Sequence, residues 1–350
     1  MSQGHWLETL GVELAVVQAP MAGAQDAELA CAVAEAGGLG SLPCALLTPA
    51  GVVEQLAKYR QRTRAPVNLN YFCHQPPPPS LEALATWRAR LDPYYRELAL
   101  EDAPATSSRR PFDAEMCGVV ENQKPEIVSF HFGLPEPALL ERVRKTGAKI
   151  IATATTVSEA RALEAGGVDA IIAQGAEAGG HRGTFVATLD DPALGTFALV
   201  PQIVDAVRVP VIAAGGIADA RGVAAARSLG ASAVQVGTAY LRCVESRISP
   251  AHRRALETVR DDSTRATNVL TGRLARGIVN RVMRDFGVVD REVPPFPLAA
   301  GALAPLRAHA EAAGSGDFSP LWAGQAAALG SSTSAAELTR LLGAGWERQR

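Results

Sequence analysis

Residues 176–183 read AEAGGHRG, which sets His181 among glycines. Small neighbours let a planar ligand lie against the backbone. An imidazole, with an ordinary pKa of about 6.5, suits general acid or base work near neutrality. A loop histidine with no chemical task fits the spacing equally well. Two further glycine turns occur in AAGGIAD (213–219) and QVGTAY (235–240). Gly215, Gly216 and Gly237 let backbone N–H groups approach an anion, a following helix start adds a favourable dipole, and the Thr238 hydroxyl can donate. Such turns can be merely tight, but two of them at matching places in the chain favour a phosphate. Asn70 and Gln174 are neutral amides at expected strand ends that both donate and accept. They suit a ligand of mixed donors and acceptors, such as a flavin ring edge, or else satisfy backbone groups at the strand terminus. His131 ends the run SFH and is expected either to line a pocket or to be satisfied inside its mouth.

What is missing narrows the chemistry. The chain has four lysines, Lys58, Lys124, Lys145 and Lys149, and none falls at the expected C-terminal end of a strand, so Schiff-base chemistry is disfavoured. There is no H-x-H, C-x-x-C or G-x-S-x-G, which argues against a metal site and a nucleophile elbow. Cys44 and Cys73 lie near strand ends but fit small apolar packers best. A net charge of −2 and 5% aromatics give no reason to expect nucleic acid or an anionic membrane as partner. No apolar run approaches the ~18 residues of a membrane helix, and no signal-peptide pattern is read at the N-terminus. Five scattered cysteines make a poor disulfide framework, so a reducing, cytoplasmic setting is expected.

The elements that must position these residues alternate in type. Short apolar runs at 14–19, 39–42, 66–70, 126–131, 148–153, 169–174, 210–215 and 232–237 read as strands buried on both faces. Helical stretches or long connections separate them. Eight such units imply a TIM (β/α)8 barrel, with a doubly wound open sheet as the alternative. In a barrel the residues singled out above gather at the C-terminal strand ends, and the glycine turns follow strands seven and eight, where phosphate sites are common. Residues 72–118, with prolines at 76–79, read as an insertion after strand three, helical over 81–91 and irregular over 101–118. The expected division is a barrel over 1–263 and a helical cap over 264–350. Leu270, Leu274, Ile278, Val282 and Phe286 recur at i+4, as one helix would require.

QAPMAGA (18–24), NLNYF (68–72), SFHFGLP (129–135), QGAEAGGHRG (174–183), AAGGIAD, QVGTAY and SGDFSPLWAGQ (315–325) together resemble the nitronate monooxygenase family, in the family's order and over nearly the whole chain. AEAGGHRG is shared with other FMN barrels. The resemblance implies a non-covalent FMN: Pro20, Met21 and Ala22 beneath the ring, Asn70 and Gln174 at its edge, and Gly179 and Gly180 beside it. Gly215, Gly216, Gln235, Gly237 and Thr238 would hold its phosphate and ribityl chain, and Trp322 and Gln325 would close over it. It implies His181 as the catalytic histidine and His131 as a pocket residue. The implied reaction is oxidation of alkyl nitronates, or of neutral nitroalkanes, by O2 to carbonyl compounds and nitrite, by a monomer or homodimer. An FMN-dependent NAD(P)H oxidoreductase acting on a quinone or enoyl thioester is the alternative, and a phosphate-binding barrel without catalysis is a third reading.

Overall fold

The structure, a computed structural model, describes residues 6–78, 80–101, 109–186 and 193–347. Eight parallel strands form one sheet: Val16–Gln18, Gly40–Pro43, Val67–Phe72, Ile127–His131, Lys149–Ala154, Ala170–Gln174, Val211–Ala214 and Ala233–Val236. All eight expected strands are present. The first strand pairs with the eighth, and a bridge between Val17 and Leu39 joins it to the start of the second. Two hydrogen bonds seal that seam, Leu39 N–H to Val16 O and Gln18 N–H to Leu39 O, both 2.9 Å. The ring is therefore a TIM barrel and not an open sheet.

Helices cover the outside as the side-chain pattern requires. Asp26, Thr48, Thr156 and Asp219 each cap a helix start through their side-chain oxygen. Alternate strand residues point inward, and Val17, Leu39, Ile127, Ile151, Ile172 and Ile212 fill the barrel, with Leu7 of the short N-terminal turn Trp6–Leu10 packed among them. Their other faces meet the helices in the larger core.

The packing divides the chain differently from the expected split. Helix Ala335–Glu347 belongs to the barrel's outer ring: it packs on helices Ala27–Glu35 and Ala220–Ser228 and occupies the place of an eighth helix. Its buried Ala335, Leu338 and Leu342 shield apolar surface that strand eight's own connection leaves bare. The insertion helix runs longer than expected, Leu81–Glu97, and leaves the barrel to pack in the cap. Trp87, Leu91, Tyr94 and Tyr95 share one cluster with Leu270, Val282, Met283, Leu303 and Leu306. Trp87 Nε1 donates to Ala299 O at 3.1 Å and the Tyr95 hydroxyl to Ala302 O at 2.7 Å. Residues 114–118, expected to be irregular, open the helix Ala114–Gln123 behind the Asp113 cap. Residues 102–108 lie outside the described segments.

The expected Leu270–Phe286 helix does not form. Thr264–Thr267 and Ala275–Ile278 are antiparallel strands, followed by the short helix Arg281–Asp285. Gly272, at φ +87°, turns the chain between the strands. The apolar residues at i+4 are real, but they serve separate contacts. Leu270, Val282 and Phe286 pack in the cap, whereas Ile278 packs with Leu241 and Leu256.

Candidate active site

The C-terminal strand ends open into a cavity of about 260 Å³ between barrel and cap. Pro20, Met21, Ala22, Asn70, His131, Gln174, Gly179, Gly180, His181, Gly215, Gly216, Gln235, Gly237, Thr238 and Trp322 all line it. Gln325 does not. Its side chain is exposed, and its backbone N–H is tied to Glu177 O at 2.9 Å, so the chain turns it outward. Its neighbours Gly324 and Ala326 face the cavity instead. Cys44 and Cys73 do not line it either; burial pushes the Cys44 thiol up to about 12 and the Cys73 thiol well above its ordinary value, as for inert packers.

His181 is held as part of a sheet. Gly180–His181 forms a two-residue strand that pairs with Ala275–Arg276 of the cap hairpin. The His181 carbonyl accepts from His131 Nε2 at 3.1 Å and from Gln174 Nε2 at 3.0 Å. Gln174 Oε1 in turn accepts from Gly183 N–H at 2.7 Å. Both ends of the Gln174 amide thus serve the glycine loop, although the residue also lines the cavity. His131 is satisfied within the barrel mouth: with Nε2 donating, its Nδ1 accepts the Thr153 hydroxyl at 3.1 Å. Burial lowers the His131 pKa to about 4, so it is neutral near pH 7.

The His181 ring is likewise neutral. Burial first, then the charges of Arg109 and Arg273, hold its pKa well below the ordinary imidazole value. The Thr271 hydroxyl donates to Arg273 O at 3.3 Å, so at 2.9 Å it accepts from His181 Nε2–H. Nδ1 then carries the lone pair and has no hydrogen-bond partner among the described residues. Phe296, at a centroid distance of 5.2 Å, and Trp322, at 5.4 Å, wall the ring edge-on.

The glycines permit close backbone approach. A Cβ on Gly179 would stand 2.6 Å from Gly324 N, and one on Gly183 2.7 Å from His131 Cε1. Gly215 and Gly216 have φ of +107° and +72°, which a side chain would strain. The N–H groups of Gly216 and Gly237 find no acceptor among the described residues. Thr238 Oγ1 accepts from Gly324 N–H at 2.9 Å and keeps its own hydrogen to donate. The helix dipole expected at this turn is already engaged, because Asp219 accepts from Arg221 and Gly222 N–H at the start of Ala220–Ser228. Gln235 Oε1 is buried with no protein partner.

Sequence reasoning passed over Thr271, Phe296, Arg109 and His252. Thr271 and Phe296 lie in the stretch read as a helix and its end. His252 Nε2 donates to Trp322 O at 3.1 Å and so fixes the wall above the cavity. A basic pair in the insertion, Arg109-Arg110, was the one signal for Arg109.

A closed barrel whose C-terminal face carries a neutral, walled histidine beside an amide cradle defines an enzyme of the β/α-barrel class. The family model for nitronate monooxygenase matches residues 5–344, and the chain belongs to that family. A nitronate monooxygenase of Paraburkholderia phytofirmans is 42% identical over 341 residues, covering 96% of this chain and 93% of that protein. The crystal structure of a nitroalkane oxidase from Streptomyces ansochromogenes superposes with a TM-score of 0.90 at 37% identity, covering 97% of both chains. FabK from Thermotoga maritima is more distant, with a TM-score of 0.74 at 27% identity over 97% of this chain and 95% of that one.

Proposed function

We propose that this protein oxidises alkyl nitronates, and neutral nitroalkanes after proton abstraction, by O2 to carbonyl compounds and nitrite, with FMN as cofactor. The observation that carries the reading is the neutral His181, with an unpartnered Nδ1, walled by Phe296 and Trp322 at the cavity on the C-terminal strand ends. The residues present fit FMN. Buried Gln235 Oε1 lacks a protein partner, as an acceptor reserved for a ligand would. The free N–H groups of Gly216 and Gly237, with the Thr238 hydroxyl, suit one phosphate. Asn70 donates to Ser129 Oγ at 2.9 Å, which leaves its carbonyl oxygen for a ring donor. Pro20, Met21 and Ala22 form a small apolar floor, fixed where Gln25 Oε1 accepts from Met21 N–H at 3.0 Å.

FMN, when bound, supplies the electron transfer between nitronate and O2. The chain's own residues bind, orient and move the proton. For a nitroalkane, the Cα proton passes to His181 Nδ1 and the C–H electron pair moves onto the nitro group, giving the nitronate. Thr271 steadies the imidazolium that forms, as its oxygen accepts from Nε2–H. A nitronate arrives with this step already done. Trp322 and Phe296 flank the imidazole and fix its orientation.

The names and closeness of the relatives favour this over an NAD(P)H-dependent reductase. Free thiols at Cys31, Cys44, Cys73, Cys117 and Cys243 support a reducing compartment. The deciding experiment measures oxygen uptake with ethyl nitronate and identifies the released chromophore. Nitronate-dependent uptake with stoichiometric nitrite, and FMN in the supernatant, is the expected result. Rapid anaerobic bleaching by NADH without nitronate turnover would overturn it.

A further inference from the structure

Four charged side chains line the cavity among the described residues: Arg109, Glu177, Arg307 and Glu311. Three are spoken for. Glu177 accepts from Thr196 N–H at 2.9 and 2.8 Å and from its hydroxyl at 2.9 Å, at the start of helix Thr196–Ala206. Arg307 Nε pairs with Glu311 Oε1 at 2.9 Å, and the Ser319 hydroxyl donates to the same carboxylate at 2.8 Å. Arg109 has no carboxylate partner and donates no hydrogen bond among the described residues. Its guanidinium carbon lies 5.5 Å from the centre of the Phe296 ring, the same ring that stands 5.2 Å from His181. A cation and the catalytic imidazole thus share one aromatic wall.

Resting on the reading above, we propose that Arg109 is the specificity-determining residue that recognises the negative charge of the nitronate, with His181 left uncharged to handle the proton. A guanidinium offers a planar fork of N–H donors that matches two oxygens on one nitrogen. A cation in a desolvated site is incomplete without an anion, and the incoming substrate supplies one. Burial lowers the Arg109 pKa to about 10, which still leaves it fully charged at neutral pH. Its field disfavours a second positive charge on His181, so the two roles fall on separate groups.

The test compares the holoenzyme with Arg109→Met and Arg109→Lys. Ethyl nitronate serves as the anionic substrate, nitroethane as the neutral one, and nitrate, a planar oxyanion, as an unreactive probe followed by calorimetry. Arg109→Met should raise KM for ethyl nitronate by about tenfold to a hundredfold with little change in kcat, the mark of lost uniform binding. It should abolish nitrate binding, leave nitroethane KM within about threefold, and keep full flavin content. Arg109→Lys should recover much of the nitronate affinity. An unchanged nitronate KM, an equal loss on nitroethane, or a loss of flavin would overturn the assignment. Nitrate binding separates this failure from that of the functional reading: if the parent protein oxidises no nitronate yet binds nitrate through Arg109, the reaction is wrong and the anion site stands.

Discussion

His181 combines a basic nitrogen with a low proton affinity. Burial and neighbouring arginines keep it neutral, Thr271 takes its Nε2–H, and Nδ1 is left to act. His181→Asn keeps a polar group but removes the proposed base. Nitroethane oxidation should fall by about 10²–10⁴-fold, while ethyl nitronate, already a carbanion equivalent, should retain much of its rate; steady-state kinetics on both substrates decides. A depressed pKa also sets the pH profile. The active neutral form persists as pH falls through 6.5 and is lost only when the lowered pKa is crossed. Nitroethane kcat/KM should therefore stay level from about pH 6.5 to 8, and a fall centred near 6.5 would contradict the buried, neutral ring. Thr271→Val removes the acceptor of Nε2–H and should cost about 3- to 15-fold in nitroethane kcat, with Thr271→Ser close to the parent.

The cap hairpin is the element that joins the two walls of the site. Ala275 and Arg276 pair with Gly180–His181, and Gly277 bridges to Trp322. Gly277 has to be glycine: a Cβ there would stand 2.8 Å from Leu321 O and 3.0 Å from Trp322 Cε3. Gly277→Ala should push the 320–322 segment off the hairpin, lower stability by about 1–3 kcal/mol and weaken flavin retention. Thermal unfolding and flavin titration measure the two effects. Gly118→Ala is the matched control, because it lies within helix Ala114–Gln123 with open space at its Cβ and should stabilise by about 0.5–1 kcal/mol.

At the scale of the whole molecule, the chain interleaves barrel and cap. The insertion helix Leu81–Glu97 completes the cap, and the terminal helix Ala335–Glu347 completes the barrel ring. Removing residues 335–350 should therefore expose the barrel wall and give aggregated or unfolded protein by gel filtration and circular dichroism, not a trimmed enzyme. Acid should weaken the whole fold. Burial lowers His74, His131 and His252 to about 4. Below pH 6.5 the unfolded chain binds protons that the folded chain refuses, so stability falls as pH drops from about 6.5 toward 4, by up to roughly 3 kcal/mol for His131. Urea melts across that range give the slope, and a flat profile would contradict neutral burial of these rings.

Much of this architecture is legible in the sequence. Eight apolar runs bounded by glycines and caps define strands and helices because burial on both faces leaves a local signature, and the glycine loops mark places where backbone must come close. The lining residues on strand ends follow once the barrel is recognised, since strand direction alone puts them at one face. Tertiary structure decided the rest. The i+4 repeat from Leu270 to Phe286 satisfies a helix equally well, and only the pairing of Thr264–Thr267 with Ala275–Ile278, which Gly180–His181 then joins, made it a hairpin. Gln325 turned outward because its backbone, and not its side chain, met Glu177. The loss of charge on His181 and the choice of Thr271, Phe296 and Arg109 as its neighbours depend on residues 90 or more positions apart, or on an insertion, meeting in one low-dielectric space. Sequence spacing carries no trace of such contacts, because desolvation and charge coupling act through distance in the fold.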